Sequence, residues 1–207
     1  NALNIDPDLA AAHSGLGFAA YAWRNDLQTA ARHYERAIEL SSDPADAATM
    51  LFALGRIEES IPYYERITID NPLSAGAHFN LGLMYLFTGD PERALAKLET
   101  VQLLSPERYG TQYFRCIAYL LMNEVELAQQ AIDDEPGESS RASGRALIFH
   151  ERGQEADFQR ELSRLIEVSG EVYGSEVALV HAWTGNLDEA FYWLEKERET
   201  GAGSGWP

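Results

Sequence analysis

Lysine is nearly missing from these 207 residues, with Lys97 and Lys196 the only two. Sixteen basic side chains stand against 33 acidic ones, giving a formal net charge of -17. Such a surface repels phosphate backbones and anionic lipid headgroups, so nucleic acid and membrane surfaces are poor partners. Cysteine occurs once, at Cys116, which excludes an internal disulfide framework and a zinc ribbon. A reducing compartment is compatible with that, and a cytoplasmic location is the expectation. No apolar run approaches the roughly 18 residues of a membrane helix, the longest notable patch being Ile117 to Met122.

Catalytic and metal-binding patterns are missing as well. The five histidines, His13, His33, His78, His150 and His181, never take the spacing of a metal-binding helix. No Ser-His-Asp spacing, phosphate loop or paired-carboxylate pocket can be argued. No catalytic residue, metal or cofactor is therefore expected. Cys116 occupies a small-residue slot equivalent to Gly82 and Ala146, which points to a buried, inert thiol.

What the chain does have is a beat. Asn25, Gly55, Gly89, Asn123, Gly153 and Gly185 recur at steps of about 30 to 34 residues, and Gly and Asn best tolerate the left-handed backbone of a tight helix–helix turn. Five residues after each comes Ala30, Ser60, Ala94, Ala128, Phe158 or Ala190. Four further on comes Tyr34, Tyr64, Leu98, Ile132, Leu162 or Leu194. Four residues before the turn stands Tyr21, Leu51, Tyr85, Tyr119, Phe149 or His181. A fixed period in this range with two amphipathic helices per unit describes an α-solenoid.

The reading gives one repeat domain over 1–200, with units near 8–42, 43–73, 74–107, 108–136, 137–169 and 170–200, and a flexible glycine-rich tail at 201–207. In the clearest unit, the first helix runs from Ala75 to Thr88 and the second from Pro91 to Leu104, stopped before Pro106. Elsewhere, helices are expected over Leu9–Arg24, Leu27–Leu40 and Ala45–Leu54. The opening stretch, Asn1 to Pro7, reads as the end of a second helix, so the chain is expected to start in mid-repeat of a longer parent. The acidic Pro-Gly stretch from Asp133 to Ser140 is the expected weak joint and hinge.

This pattern resembles the tetratricopeptide repeat. The third unit carries it most fully, in Leu81-Gly82, Tyr85, Gly89-Asp90, Ala94, Leu98, Val101 and Pro106, and the resemblance runs from Pro7 to about Arg198. It implies an all-α, right-handed superhelical solenoid of about six helix-turn-helix repeats and a non-catalytic role in protein–protein interaction. There are departures. His13 and His78 stand where the family favours Trp, and Arg115 and Arg145 where it favours Leu. The final unit, Val177 to Glu195, looks like the terminal repeats of large bacterial signalling proteins, where such an array follows a cyclase, kinase or DNA-binding domain.

In that family the partner groove is lined by first-helix residues that point away from the second helix. Carried over here, the groove holds Phe79, Asn80, Leu83, Leu86 and Phe87, then Tyr113, Phe114, Ile117, Leu120 and Leu121. An apolar, aromatic wall suits a peptide or protein segment with apolar anchors. The alternative is that several of these side chains pack between neighbouring helices. Arg115 and Arg145 would make a guanidinium pair for a partner carboxylate or phosphate, or else local salt bridges among the many acids. Three functional readings stay open: a peptide-binding module, a regulatory array controlling an upstream domain, and a structural solenoid that self-associates as a homo-oligomer.

Overall fold

The computed structural model describes residues 2–24, 26–41, 43–169 and 174–200. It divides into two compact units, Asn1–Leu104 and Ser105–Pro207. The first holds α1 (Ala2–Ile5), α2 (Ala10–Arg24), α3 (Leu27–Leu40), α4 (Pro44–Ala53), α5 (Ile57–Asp70), α6 (Ala75–Phe87) and α7 (Pro91–Leu104). The second holds α8 (Thr111–Leu121), α9 (Val125–Asp133), α10 (Glu138–Glu151), α11 (Glu155–Ser169), α12 (Gly174–Trp183) and α13 (Leu187–Thr200). No strand occurs among the described residues. From α2 onward the helices pair as α2–α3, α4–α5, α6–α7, α8–α9, α10–α11 and α12–α13, a first (A) and a second (B) helix each time.

The turn residues explain the pairing. Gly55, Gly89, Gly153 and Gly185 have φ between +67 and +79°, and Asn123 has φ +62°, all in the left-handed region. Asn25, the remaining member of the series, lies outside the described residues, as do the glycine-rich tail and the start of the sixth unit. Helix starts follow local chemistry. Asp26 Oδ1 accepts from Thr29 N at 3.0 Å, Asp43 Oδ1 from Ala45 N at 2.8 Å, and Ser74 Oγ from Ala77 N at 3.2 Å. Pro44 opens α4 at a position where its missing N–H costs nothing, one residue earlier than the sequence suggested. Helix α5 continues through Pro62.

Within the first unit, α6 and α7 bury the stripes that face each other. Leu81, Ala94, Leu98 and Val101 are fully buried, as is Tyr85 at 2% exposure. The Tyr85 hydroxyl donates to Glu65 Oε1 at 2.7 Å, and Arg93 Nη2 donates both to that carboxylate and to the hydroxyl oxygen, each at 2.6 Å. The guanidinium sits 3.9 Å from the ring centroid, so one arginine closes the aromatic position by ion pair and cation–π contact together. Close approach at the other end of the unit requires Gly17, where a Cβ would fall 2.7 Å from a Tyr34 ring carbon.

In the second unit the A helices α8, α10 and α12 lie side by side. Their starts lack local side-chain caps at Gly110, with φ +81°, and at Gly137. A remote carboxylate takes over. Glu135, 1% exposed, accepts from Gly110 N at 3.2 Å and Tyr113 N at 3.1 Å at the start of α8, and from Gly137 N at 3.0 Å at the start of α10. A negative charge between two helix N-termini also meets both dipoles favourably. Arg141 Nη1 then donates to the Glu135 carbonyl at 2.6 Å. The expected hinge near Pro136 and Gly137 is thus corrected: the segment is anchored, because its acid is a buried cap rather than a solvated charge.

Candidate functional site

The chain carries its acids unevenly. The A helices hold four, Asp46, Glu138, Glu151 and Glu176, against four arginines, Arg24, Arg115, Arg141 and Arg145. Helix α6 has no charged residue at all. By contrast α13 alone carries Asp188, Glu189, Glu195, Glu197 and Glu199. The strong negative balance therefore sits on the B helices and loops, and the A helices offer a neutral, apolar surface.

Exposure separates the expected wall into two sets. Phe79, Leu83 and Leu86 on α6 are 5 to 7% exposed, and Tyr113, Ile117 and Leu120 on α8 are 4 to 7% exposed. Phe114 is also buried, and Asn80 is half-buried. For these buried members the expectation of an open groove wall is corrected, and the alternative of packing between helices holds. Helix α6 packs against α5 and α7, and α8 against α9 and α10, and these side chains are not accessible. Tyr113, for example, shares a 3.0 Å hydrogen bond with Ser143 on α10, and burial raises its hydroxyl pKa. The positions that remain open are Phe87, at 51%, and Leu121, at 48%.

Phe87 has a partner that sequence reading missed. Phe52 on α4, 39% exposed, stacks on it with ring centroids 6.4 Å apart and planes within 12°. Two aromatic faces from successive A helices thus make one accessible apolar platform in the first unit. The signal was available, because both lie just before a turn glycine, but the repeat register assigns them different offsets. A second exposed pair, Phe18 and Trp23 on α2, meets edge to face at 6.1 Å.

The arginines are held by neighbours within the second unit. Arg145 Nη2 donates to Asp133 Oδ1 at 3.0 Å, and Arg115 Nη1 to Gln112 Oε1 at 2.8 Å. Arg152 bridges Glu126 and Gln129. Cys116 is fully buried, and burial pushes its thiol up to about 12. His13 and His78 share a role: each Nε2 donates to the carbonyl of the proline six residues earlier, Pro7 and Pro72, at 3.0 Å. This leaves His13 Nδ1 to accept from His33 Nδ1 at 3.0 Å. Among the described residues no group of three or more His, Cys, Asp or Glu could hold a metal, and no helix is long and apolar enough to cross a membrane.

A further carboxylate recurs by register. Glu197 stands twelve residues after Gly185, as Glu135 does after Asn123, and it too accepts a backbone N–H at the start of its own A helix, from Ser175. The corresponding residues Ala37 and Val101 are fully buried and apolar. An acid in that slot was the sequence signal for a remote cap.

Comparison with known proteins agrees with this architecture. Residues 46–107 match the tetratricopeptide repeat family. The anaphase-promoting complex subunit CDC16 of Saccharomyces cerevisiae is 23% identical over 125 residues, which is 58% of this chain and 15% of that protein. Among solved structures, TTC0263, a thermophilic TPR protein of Thermus thermophilus, superposes with TM-score 0.59 at 21% identity, covering 78% of this chain and 96% of its own. A tetratricopeptide repeat protein from Parabacteroides merdae gives TM-score 0.58 at 18% identity, covering 90% and 78%.

Proposed function

For a chain whose residues 46–107 belong to the tetratricopeptide-repeat family and whose fold is that of the family's solved members, we propose a non-catalytic protein-interaction module that takes a peptide or protein segment on its A helices. The observation that carries the reading is the exposed Phe52–Phe87 stack. Phenylalanine is among the residues enriched at interfaces, and a few well-packed anchors carry most of the binding energy there. The neutral A-helix surface, set in an otherwise acidic chain, accepts apolar anchors without imposing a charge requirement. Asn80, half-buried on α6, and Leu121 on α8 extend the candidate contact set within their own units. Phe79, Leu83, Leu86, Tyr113, Ile117 and Leu120 are buried on the same two helices, α6 and α8. Arg115 and Arg145 would reach a partner carboxylate only by giving up their present partners.

The test is a selection of binders from a random peptide library on the intact chain, followed by titration of the selected peptides. Selected peptides should carry apolar or aromatic anchors. The double variant Phe52→Ser/Phe87→Ser should weaken them about thirtyfold, the equivalent of one hot spot of about 2 kcal/mol. Equal affinity for the double variant, with unchanged helix content, refutes the proposal.

A further inference from the structure

Two side chains on the A helices of the second unit fall outside the apolar reading. Glu151 is the last residue of α10 and Trp183 the last of α12, each two residues before a left-handed turn glycine. That register is shared with Phe87 and Leu121, which stay open on α6 and α8. Glu151 is exposed and Trp183 half-buried. The indole Nε1 of Trp183 donates to Glu151 Oε1 at 2.7 Å and fixes the carboxylate beside the ring. An acid in this place is mildly destabilising on its own, because a helix C-terminus is the negative end of the dipole. Among the described residues α10 is the only A helix that closes on one. Neither neighbouring base pairs with it. Arg152 is held by Gln129 and Glu126, and the His150 ring centroid lies 5.7 Å from that of Phe158.

The first unit holds the completed form of the same arrangement. There the Tyr85 hydroxyl donates to Glu65 Oε1, also at 2.7 Å. Arg93 binds that carboxylate at 2.6 Å, with its guanidinium 3.9 Å from the ring centroid. An aromatic ring that donates to a carboxylate offers a guanidinium two attractions at once, the acid's charge and the ring's π face. Trp183 and Glu151 supply the ring and the acid, and no base among the described residues is bonded to either. We propose that Glu151 and Trp183 form a subsite for an arginine side chain of a partner segment. Arginine fits better than lysine, because its planar fork pairs with a carboxylate and stacks on an indole together. A formal charge of -17 draws a basic segment toward the chain, and the ends of two helix dipoles favour a cation where it docks. The subsite rests on the A helices being the recognising face. It adds, in the second unit, a charge preference that the aromatic platform of the first unit lacks.

Titration of the isotope-labelled chain with N-acetylarginine amide, followed at the indole N–H resonance of Trp183, tests the subsite directly. The resonance should move saturably in the millimolar range. N-acetylcitrulline amide, of the same shape without the charge, should leave it in place, and N-acetyllysine amide should bind several-fold more weakly. Glu151→Gln keeps an acceptor oxygen for the indole while removing the charge, and should weaken the arginine probe about fivefold. The response should persist in Phe52→Ser/Phe87→Ser, so the aromatic platform and this subsite stand or fall separately. A resonance that stays still, follows the citrulline or lysine analogue as readily, binds as tightly in Glu151→Gln, or loses its response in the double variant overturns the proposal. Should Glu151→Gln lose helix content by circular dichroism, the citrulline comparison decides.

Discussion

Replacing Glu135 by alanine removes the acceptor for three backbone N–H groups at once, those of Gly110, Tyr113 and Gly137. A hydrogen bond to a charged group contributes about 1.5–3 kcal/mol, and an orphaned buried donor costs about 1–3 kcal/mol. Relief of the buried carboxylate's desolvation offsets part of the sum, as does water reaching the half-buried Gly110 and Gly137. The net loss should be about 3–5 kcal/mol, confined to the second unit. With a urea dependence of about 2 kcal/mol per molar, the midpoint of that unit should fall by about 2 M. Amide exchange at Gly110 and Tyr113 should accelerate most, because α8 loses its N-terminal cap. Glu135→Gln, which keeps one acceptor oxygen but turns an amide N–H toward backbone donors, should fall between parent and alanine. A midpoint unchanged within error, or exchange that quickens first at α10's far end rather than at α8's start, would refute the capping account.

Three other outcomes follow from the same structure. Tyr85→Ala should destabilise the first unit by about 3–5 kcal/mol by denaturant titration, since it empties a buried aromatic site and strips Arg93 and Glu65 of their shared hydroxyl. Leu83→Glu, at 5% exposure, should unfold α6, whereas Phe87→Glu, at 51%, should leave helix content unchanged by circular dichroism. Buried groups should pull in opposite directions in mild acid when followed by unit-resolved hydrogen exchange, with Glu176 working against His181, which burial lowers in the second unit as it lowers His33 in the first. In the first, burial and then His13 hold His33 below its usual value of 6.5, so the unfolded state binds the proton first and stability is lost as pH falls below that value. In the second, burial raises Glu176 above 4.5, so the native state binds that proton first, and the Glu176 contribution to stability rises as pH falls through its raised pKa toward 4.5. Glu176→Gln should abolish that rise.

The repeat itself was legible from residues alone. Left-handed turns need Gly or Asn, so the beat from Gly55 to Gly185 announces the helix pairs directly, and the α7 bounds Pro91–Leu104 follow from proline chemistry at both ends. Exposure was less legible. A family register assigns Leu83 and Ile117 to a groove, but the residue's depth depends on how closely neighbouring helices approach, which period alone does not encode. Charge was the other failure. Composition marks Glu135 as one more acid in a polar linker, yet its register, twelve residues past Asn123, puts it where Val101 and Ala37 are buried, and there it can only be a cap. The Phe52–Phe87 stack escaped because it pairs unlike offsets in two units.

Recognition on the A helices of the first unit should leave a footprint in the backbone amide spectrum. Backbone amide shift mapping of the isotope-labelled chain with a library-selected peptide tests it most directly. Perturbations should concentrate along α4 and α6 around Phe52 and Phe87 and spare α5 and α7. Shifts confined to the acidic B helices, or identical shifts in the Phe52→Ser/Phe87→Ser variant, would contradict it.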